Sequence, residues 1–147
     1  IGGGVALIAS GIMALFTDGS GVEENSKNAL LAAGKLAEGI KELSTETSSD
    51  FGSDLKFGIG IHAGTSVVGA MGYGENITDT AIGDCVNVAS RLEQLTKEEE
   101  CQLIITSDLY QRSGLSLKAS YEKNVTVKGK SEAFKISAFK DASTIQI

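Results

Sequence analysis

The chain has 147 residues, 41% of them hydrophobic and 22% charged, which suits one domain with a buried core. The net charge is −6 and no long basic run is present, which argues against a nucleic-acid partner. No apolar run approaches the roughly 20 residues that cross a bilayer, and no signal peptide is visible. We therefore expect a cytoplasmic domain, either free or attached to a membrane-anchored parent protein. Because Ile1 is not Met, we expect a fragment.

The first third of the chain predicts a β-hairpin followed by a long helix. Two apolar runs, Val5–Ala9 and Ile12–Phe16, flank the turn pair Ser10-Gly11. Both strands are apolar at nearly every residue, so we expect them to be buried on two faces. Apolar residues at helical spacing then predict an amphipathic helix over Val22–Leu43 that packs across a sheet. The polar stretch Ser44–Asp54 is expected to be a mobile surface loop.

The middle of the chain predicts two strands, a loop and a strand–helix unit. Leu55–Ile61 and Ser66–Met71 have strand patterns, and the turn-rich Gly72–Asp79 is expected to be a loop. The stretch Thr80–Lys97 reads as a short strand, a glycine break and an amphipathic helix. Asp84 follows the glycine and is the expected N-cap.

Two polar residues of this helix are candidate ligand contacts. Asn87 and Arg91 are four residues apart and share one helix face. The predicted buried face consists of Val86, Ala89, Leu92 (or Glu93 beside it) and Leu95–Thr96. An amide and a guanidinium side by side suit a phosphate or a sugar. Spacing alone favours the simpler interpretation of two solvated surface residues.

The last third predicts a strand, a short helix, a hairpin and a loose tail. The strand is Gln102–Thr106, and the helix runs from Ser107 or Asp108 to Arg112. Tyr121–Val127 and Ala133–Phe139 alternate in polarity around Lys128-Gly129-Lys130-Ser131. This turn is not a phosphate-binding P-loop, because the required first glycine is Asn124. Cys85 and Cys101 have no metal-ligand spacing and are expected to be reduced core residues.

Two adjoining motifs resemble one family. T-A-I-G-D-C-V-N-V-A-S-R-L-E begins at Thr80, and K-F-G-I-G-I-H-A-G-T-S-V-V-G-A-M-G begins at Lys56. Together they resemble the class III adenylate/guanylate cyclase catalytic domain, of the bacterial adenylate cyclase type. The resemblance implies an α+β, ferredoxin-like βαββαβ nucleotidyl cyclase fold, with a mixed or antiparallel sheet and helices on one face. It also implies that residues 1–147 are one such domain, without the family's first strand and the helices after it.

The resemblance implies that ATP is converted to cyclic AMP and pyrophosphate for second-messenger signalling. The active site would lie at the interface with a second cyclase domain, in a homodimer or a heterodimer. Arg91 matches the arginine that stabilises charge on the α-phosphate, and Asn87 matches the asparagine that orients the ribose. Thr80 matches the position that contacts the base. Lys128 matches the lysine that reaches the terminal phosphates, with Lys130 as a nearby competitor.

Two N-terminal positions depart from the family pattern. Ser10 stands where the family has one of its two metal-binding aspartates, and Ala6 stands where it has a base-reading lysine. The other aspartate belongs to the strand that this chain lacks. The two Mg²⁺ or Mn²⁺ ions of the family site are therefore not ligated by this chain as written, and we expect little activity from it alone. Three explanations stay open: a truncated active enzyme, a half that needs a metal-bearing partner, or a degenerate domain that binds nucleotide or a partner in a regulatory role.

Overall fold

A mixed β-sheet forms the framework of the computed structural model, which describes residues 2–17, 19–51, 56–127 and 132–146. The elements are β1 (Gly2–Ala9), β2 (Ile12–Phe16), α1 (Val22–Phe51), β3 (Ile59–Tyr73), β4 (Asn76–Ile82), α2 (Asp84–Glu98), β5 (Leu103–Thr106), α3 (Ser107–Arg112), β6 (Tyr121–Val125), β7 (Phe134–Phe139) and a 3-10 helix (Ala142–Thr144).

Six strands lie side by side in the order β2-β1-β3-β5-β7-β6, and β4 pairs with the far half of β3. Only the β3–β5 pairing among those six is parallel, so the sheet is mixed and the predicted α+β class is confirmed. The elements β5, α3, β6 and β7 begin and end within two residues of the predicted ones. The turn at 128–131 lies outside the described residues.

The helices cover both faces of the sheet, so the expectation of helices on one face is wrong. Val5 and Leu7 of β1 belong to a buried cluster with Leu30 of α1, and α3 contributes to the same cluster. Ala6, between them, lies in a separate cluster with Ala89 of α2. Successive side chains of a strand point to opposite faces of the sheet. Because the strands of this sheet are apolar on both faces, each face must pack against helices.

The first hairpin is confirmed, but only β1 is buried on both faces. Ser10 and Gly11 have φ values of 40° and 91°, which correspond to the two-residue type I′ turn that matches strand twist. β2 is an edge strand, and Ile12 and Met13 are 57% and 39% exposed. The apolar composition of β2 therefore does not indicate burial, since no described element covers its outer edge.

Helix α1 continues to Phe51, so the loop expected from Ser44 onwards is wrong. The Thr45 hydroxyl donates to the Lys41 carbonyl 2.9 Å away, and Ser44 is buried. A hydroxyl satisfied one turn back lets a Ser/Thr-rich stretch remain helical. Residues 52–54 of that expected loop lie outside the described ranges. No helix in the described ranges is both long and apolar enough to cross a membrane.

The two strands expected between Leu55 and Met71 are one continuous strand, β3, and the loop expected at Gly72–Asp79 is wrong. The chain turns tightly at Gly74-Glu75 and returns as β4, with Tyr73 opposite Asn76. Gly74 has φ 64°, a conformation that costs glycine little. The β-branched residues of β4 favour the extended state.

The C-terminal segment is packed, so the expectation of a loose tail is wrong. The Asp141 carboxylate accepts a hydrogen bond from the Ser143 backbone N–H at 3.0 Å and caps the 3-10 helix. The Ser143 hydroxyl, which donates to the same carboxylate at 2.6 Å, is the main cause that lowers the pKa of Asp141, and the Ser143 N–H and the Lys41 ammonium act in the same direction. Ile145 is 2% exposed and lies in the core cluster of α1. A side chain at Gly34 of α1 would overlap the Ile145 carbonyl, so this glycine lets the segment approach the helix.

Two glycines of α1 provide a matched test of this packing. Gly39→Ala meets no atom within 4 Å and should stabilise the fold by about 0.5–1 kcal/mol, because alanine loses less entropy in a helix. Gly34→Ala should instead destabilise it by about 1–3 kcal/mol through overpacking. Urea denaturation measures both free energies of unfolding. Equal stabilisation by the two substitutions would mean that the C-terminal segment does not pack on α1.

Candidate functional site

Helix α2 starts immediately after a glycine. Gly83 occupies the N-cap position without a side-chain cap, and Asp84 is the first helical residue. The prediction of Asp84 as N-cap is therefore wrong by one position, although its negative charge still suits the start of a helix. The Asn87 backbone N–H donates to the Gly83 carbonyl at 3.2 Å, which closes the first turn. Because the helix starts at this glycine, Asn87 lies in its first turn and Arg91 in its second.

The other face of α2 lies very close to β3. A Cβ at Gly60 would overlap the Ala89 carbonyl oxygen, and one at Gly58 would overlap the Thr96 hydroxyl. These absent side chains let the helix backbone rest on the strand. The buried residues of α2 are Cys85, Val88, Ala89, Leu92 and Thr96. Ala89, Leu92 and Thr96 were predicted there, whereas Val86 and Leu95 are only half-buried.

The structure leaves the polar side chains of Asn87 and Arg91 available. Asn87 is exposed and Arg91 is half-buried. Within the described ranges, no ion pair involves Arg91 and no hydrogen bond involves the Asn87 side chain. A cation and an amide held one turn apart on a seated helix can receive an anionic, hydroxyl-bearing ligand.

Of the other two predicted substrate contacts, the structure describes the strand that contains Thr80 but does not describe Lys128. Thr80 is in β4, opposite Gly69 of β3, so it belongs to the hairpin that leads into α2. Lys128 lies outside the described residues. The residue before it, Val127, is 6% exposed and belongs to one buried cluster with Val88 and Leu92 of α2. The chain therefore enters position 128 from a residue packed with that helix.

The positions that depart from the expected pattern lie in the first hairpin. Ser10 is exposed in its turn, and Ala6 is fully buried beneath Cys85 and Ala89 of α2. The described part of the chain contains no group of three His, Cys, Asp or Glu side chains that could hold a metal. A lone serine hydroxyl is a weak ligand for Mg²⁺. The described residues therefore do not fit the two metal ions that the resemblance implies.

A cavity of about 600 Å³ adjoins α2 at Val88. His62 lines it, with Nδ1 3.4 Å from the Thr106 hydroxyl and the ring stacked 6.2 Å from that of Phe134. These contacts tie β3 to β5 and β7. Cys85 and Cys101 are both buried, as predicted for core residues.

Sequence reasoning missed a polar cluster at the end of α2, which we call the Glu99 clamp: Glu99, Tyr121 and Lys123. The Tyr121 hydroxyl donates to Glu99 Oε2 at 2.9 Å and to its carbonyl at 3.1 Å, while Lys123 Nζ lies 2.5 Å from Oε1. The ammonium lowers the pKa of Glu99, whereas burial and then the Glu99 contact raise the pKa of Tyr121. The partners are more than 20 residues apart, so no local pattern could indicate them.

Comparisons with known proteins agree with this architecture. Residues 8–139 match the family described as the adenylate and guanylate cyclase catalytic domain. The chain is 41% identical over 138 residues to an adenylate cyclase of Anabaena cylindrica, covering 88% of this chain and 26% of that protein. It is 36% identical over 133 residues to the terminal-differentiation-specific adenylate cyclase of Dictyostelium discoideum, covering 88% and 6%. The adenylyl cyclase CyaB from P. aeruginosa superimposes with a TM-score of 0.73 at 23% identity, covering 92% and 70%.

The chain therefore belongs to the adenylate and guanylate cyclase catalytic domain family. The resemblance stated from the two motifs is confirmed, and so is the cyclase fold. The chain spans about a quarter of the Anabaena protein and a much smaller part of the Dictyostelium one.

The close approach of α2 to β3 can be tested with two glycines of one strand. Gly60→Ala should destabilise the fold by about 1–3 kcal/mol and shift α2, because the new methyl group meets helix backbone rather than a flexible side chain. Gly69→Ala meets nothing within 4 Å and should change stability by no more than about 0.5 kcal/mol. Thermal unfolding measures both. A Gly60→Ala protein as stable as Gly69→Ala would contradict the described seating of α2.

Proposed function

We propose that this chain is an adenylate cyclase catalytic domain that supplies the transition-state and base-binding half of an active site shared with a second cyclase domain. The observation that carries this proposal is the pair Asn87 and Arg91, which face outward on α2 without partners in the described ranges. The identity to an adenylate cyclase of Anabaena cylindrica supports ATP as substrate.

The chemistry explains why this pair is useful. The ribose 3′-hydroxyl attacks the α-phosphate of ATP, and pyrophosphate leaves as the ring closes to cyclic AMP. Negative charge accumulates on the α-phosphate oxygens during this displacement. Arg91 offers fixed N–H donors and a permanent positive charge to those oxygens. Asn87, one turn earlier, holds the ribose so that its hydroxyl points at phosphorus.

Thr80 and Lys128 complete the proposed contacts with substrate. Thr80 lies in β4, only a few residues before α2, and its hydroxyl can donate to or accept from a base. Lys128 directly follows Val127, which shares a buried cluster with α2, and would neutralise the terminal phosphates. Lys130 is the alternative for that role. With these residues, one chain contacts the base, the ribose and the phosphates.

The metal half of the site would come from the partner domain. Ser10 provides no carboxylate, and the described residues contain no three-ligand group. A partner with both metal aspartates would complete the site, as cyclase heterodimers divide these tasks. We therefore propose that this chain alone has little or no activity.

A second candidate function is nucleotide or partner binding without turnover, in a regulatory role. The observation that favours it is Ala6, which is fully buried under α2, in place of a lysine that could read the base. Such a domain would bind ATP but would not complete an active site in any mixture.

Complementation separates these functions. Cyclic AMP and cyclic GMP formation should be measured with Mg²⁺ or Mn²⁺ for this chain alone, and again with a cyclase domain that has both metal aspartates but lacks its own Asn and Arg. We expect product only in the mixture. Turnover by the chain alone at about 1 per second or faster would contradict the metal argument. Nucleotide binding without product in either sample would support the regulatory function.

Arg91→Ala tests the assigned role in the active mixture. Its turnover should fall by about 10²–10³-fold, because the arginine acts mainly on charge that develops in the transition state. The dissociation constant for ATP should change far less. Lys97→Ala, a matched removal of an exposed cation from the same helix, should leave turnover unchanged. A loss confined to ATP binding would refute the role of Arg91.

A further inference from the structure

We propose that Gly64 of β3 is a positioning residue, which sets the place of Asn87 by letting the first turn of helix α2 approach the strand. This inference rests on the proposed function. A Cβ at Gly64 would lie 3.2 Å from the Cβ of Cys85 and 3.5 Å from its backbone N and Cα. Cys85 is fully buried in this turn, two residues before Asn87. Gly64 would therefore act through the helix rather than on substrate.

The contact at Gly64 is milder than the contacts at the other two glycines that seat α2. At Gly60 and Gly58, a Cβ would overlap the Ala89 carbonyl oxygen and the Thr96 hydroxyl. At Gly64 the separation of 3.2 Å is tight without being an overlap, so an added methyl group requires a shift of only a few tenths of an ångström. The backbone at Gly64 is that of a regular strand, so alanine can adopt it. Gly64→Ala is therefore a small displacement and not a disruption of the fold.

The displacement should reach Asn87 more than Arg91. Helix α2 meets the sheet at Cys85, next to Gly64, and again at Ala89, one turn later. A methyl group at Gly64 lifts the first contact and leaves the second in place, so the helix tilts about Ala89. Asn87 lies about 3 Å along the axis on the lifted side of this pivot, and Arg91 lies the same distance beyond it.

Turnover is sensitive to a shift of this size. The ribose hydroxyl that Asn87 orients must approach phosphorus to about 3–3.5 Å in line with the leaving group, and a misplacement of about 1 Å can cost about 10²-fold. A shift of a few tenths of an ångström should therefore cost about threefold. Affinity for ATP sums contacts along the whole nucleotide, so it should change far less.

A double-mutant cycle tests whether the effect passes through Asn87. Product formation is measured in the complementing mixture, and ATP binding to the chain is measured by calorimetry. We expect Gly64→Ala to lower turnover about threefold with an unchanged dissociation constant for ATP. Added to Asn87→Ala, it should cause no further loss. Added to Arg91→Ala, it should again cost about threefold, because the arginine lies beyond the pivot.

A second substitution separates positioning from stability. Cys85→Gly removes the Cβ that a methyl group at Gly64 would crowd, so the pair Gly64→Ala and Cys85→Gly should recover part of the lost turnover. Glycine in a helix also lowers stability, so turnover should rise while the melting temperature falls. The control is Gly39→Ala of α1, which meets no atom within 4 Å and should leave turnover unchanged. Circular dichroism verifies that each variant is folded.

The outcomes separate the two proposals. A loss of turnover that disappears in the Asn87→Ala chain and is relieved by Cys85→Gly supports the positioning role. Unchanged turnover in Gly64→Ala, a loss that persists without Asn87, or an equal loss from Gly39→Ala overturns it and leaves the proposed function intact. A native chain that neither binds ATP nor complements the partner overturns the proposed function and the positioning role together.

Discussion

The close approach of α2 to β3 is the constraint on which the candidate site depends. Gly58 and Gly60 leave no room for a side chain between strand and helix, because Thr96 and the backbone at Ala89 already occupy it. Backbone packed against backbone is less adaptable than side chains that can change rotamer. The helix is therefore seated at a defined depth and rotation. The face that carries Asn87 and Arg91 is directed away from the strand as a consequence of this seating.

Such seating has an electrostatic consequence for Arg91. A half-buried guanidinium without an ion pair in the described part of the chain loses some hydration and receives no carboxylate in return. The pairs that the structure does contain lie elsewhere, as at Arg112 with Glu23 and at Lys123 with Glu99. Under the proposed function, the α-phosphate of ATP provides the missing counter-charge. A guanidinium that is already in position stabilises the negative charge of the transition state without a further reorganisation energy.

The elements predicted correctly are those with local causes. The turn at Ser10-Gly11 and the glycine before α2 act within a few residues, so sequence alone indicates them. One error had a local cause: the polar composition after Ser44 suggested a loop, although Thr45 can bond to the Lys41 carbonyl within a continuing helix. Other errors arose where distant contacts decide. The segment ending at Ile145 packs into the space at Gly34, about a hundred residues earlier. The Glu99 clamp joins two separate elements and has no local signature. For the site, motifs indicated Asn87 and Arg91, but neither their exposure nor the seating of their helix.

The turn at Ser10 bears on why one half of the site would be absent. Ser10 has φ 40°, in the left-handed region that aspartate and asparagine enter more readily than most residues. An aspartate would therefore fit this backbone at least as well as the serine does, and the turn remains exposed. The fold itself does not exclude a carboxylate at this position. Under the proposed function, a serine at this position lacks the carboxylate that a metal ion needs, whereas α2 keeps a polar pair without partners in the described residues. This asymmetry is what a division of labour between two domains requires: each half can lose the groups that the other supplies, provided that the helix and the turn keep their places at the shared site.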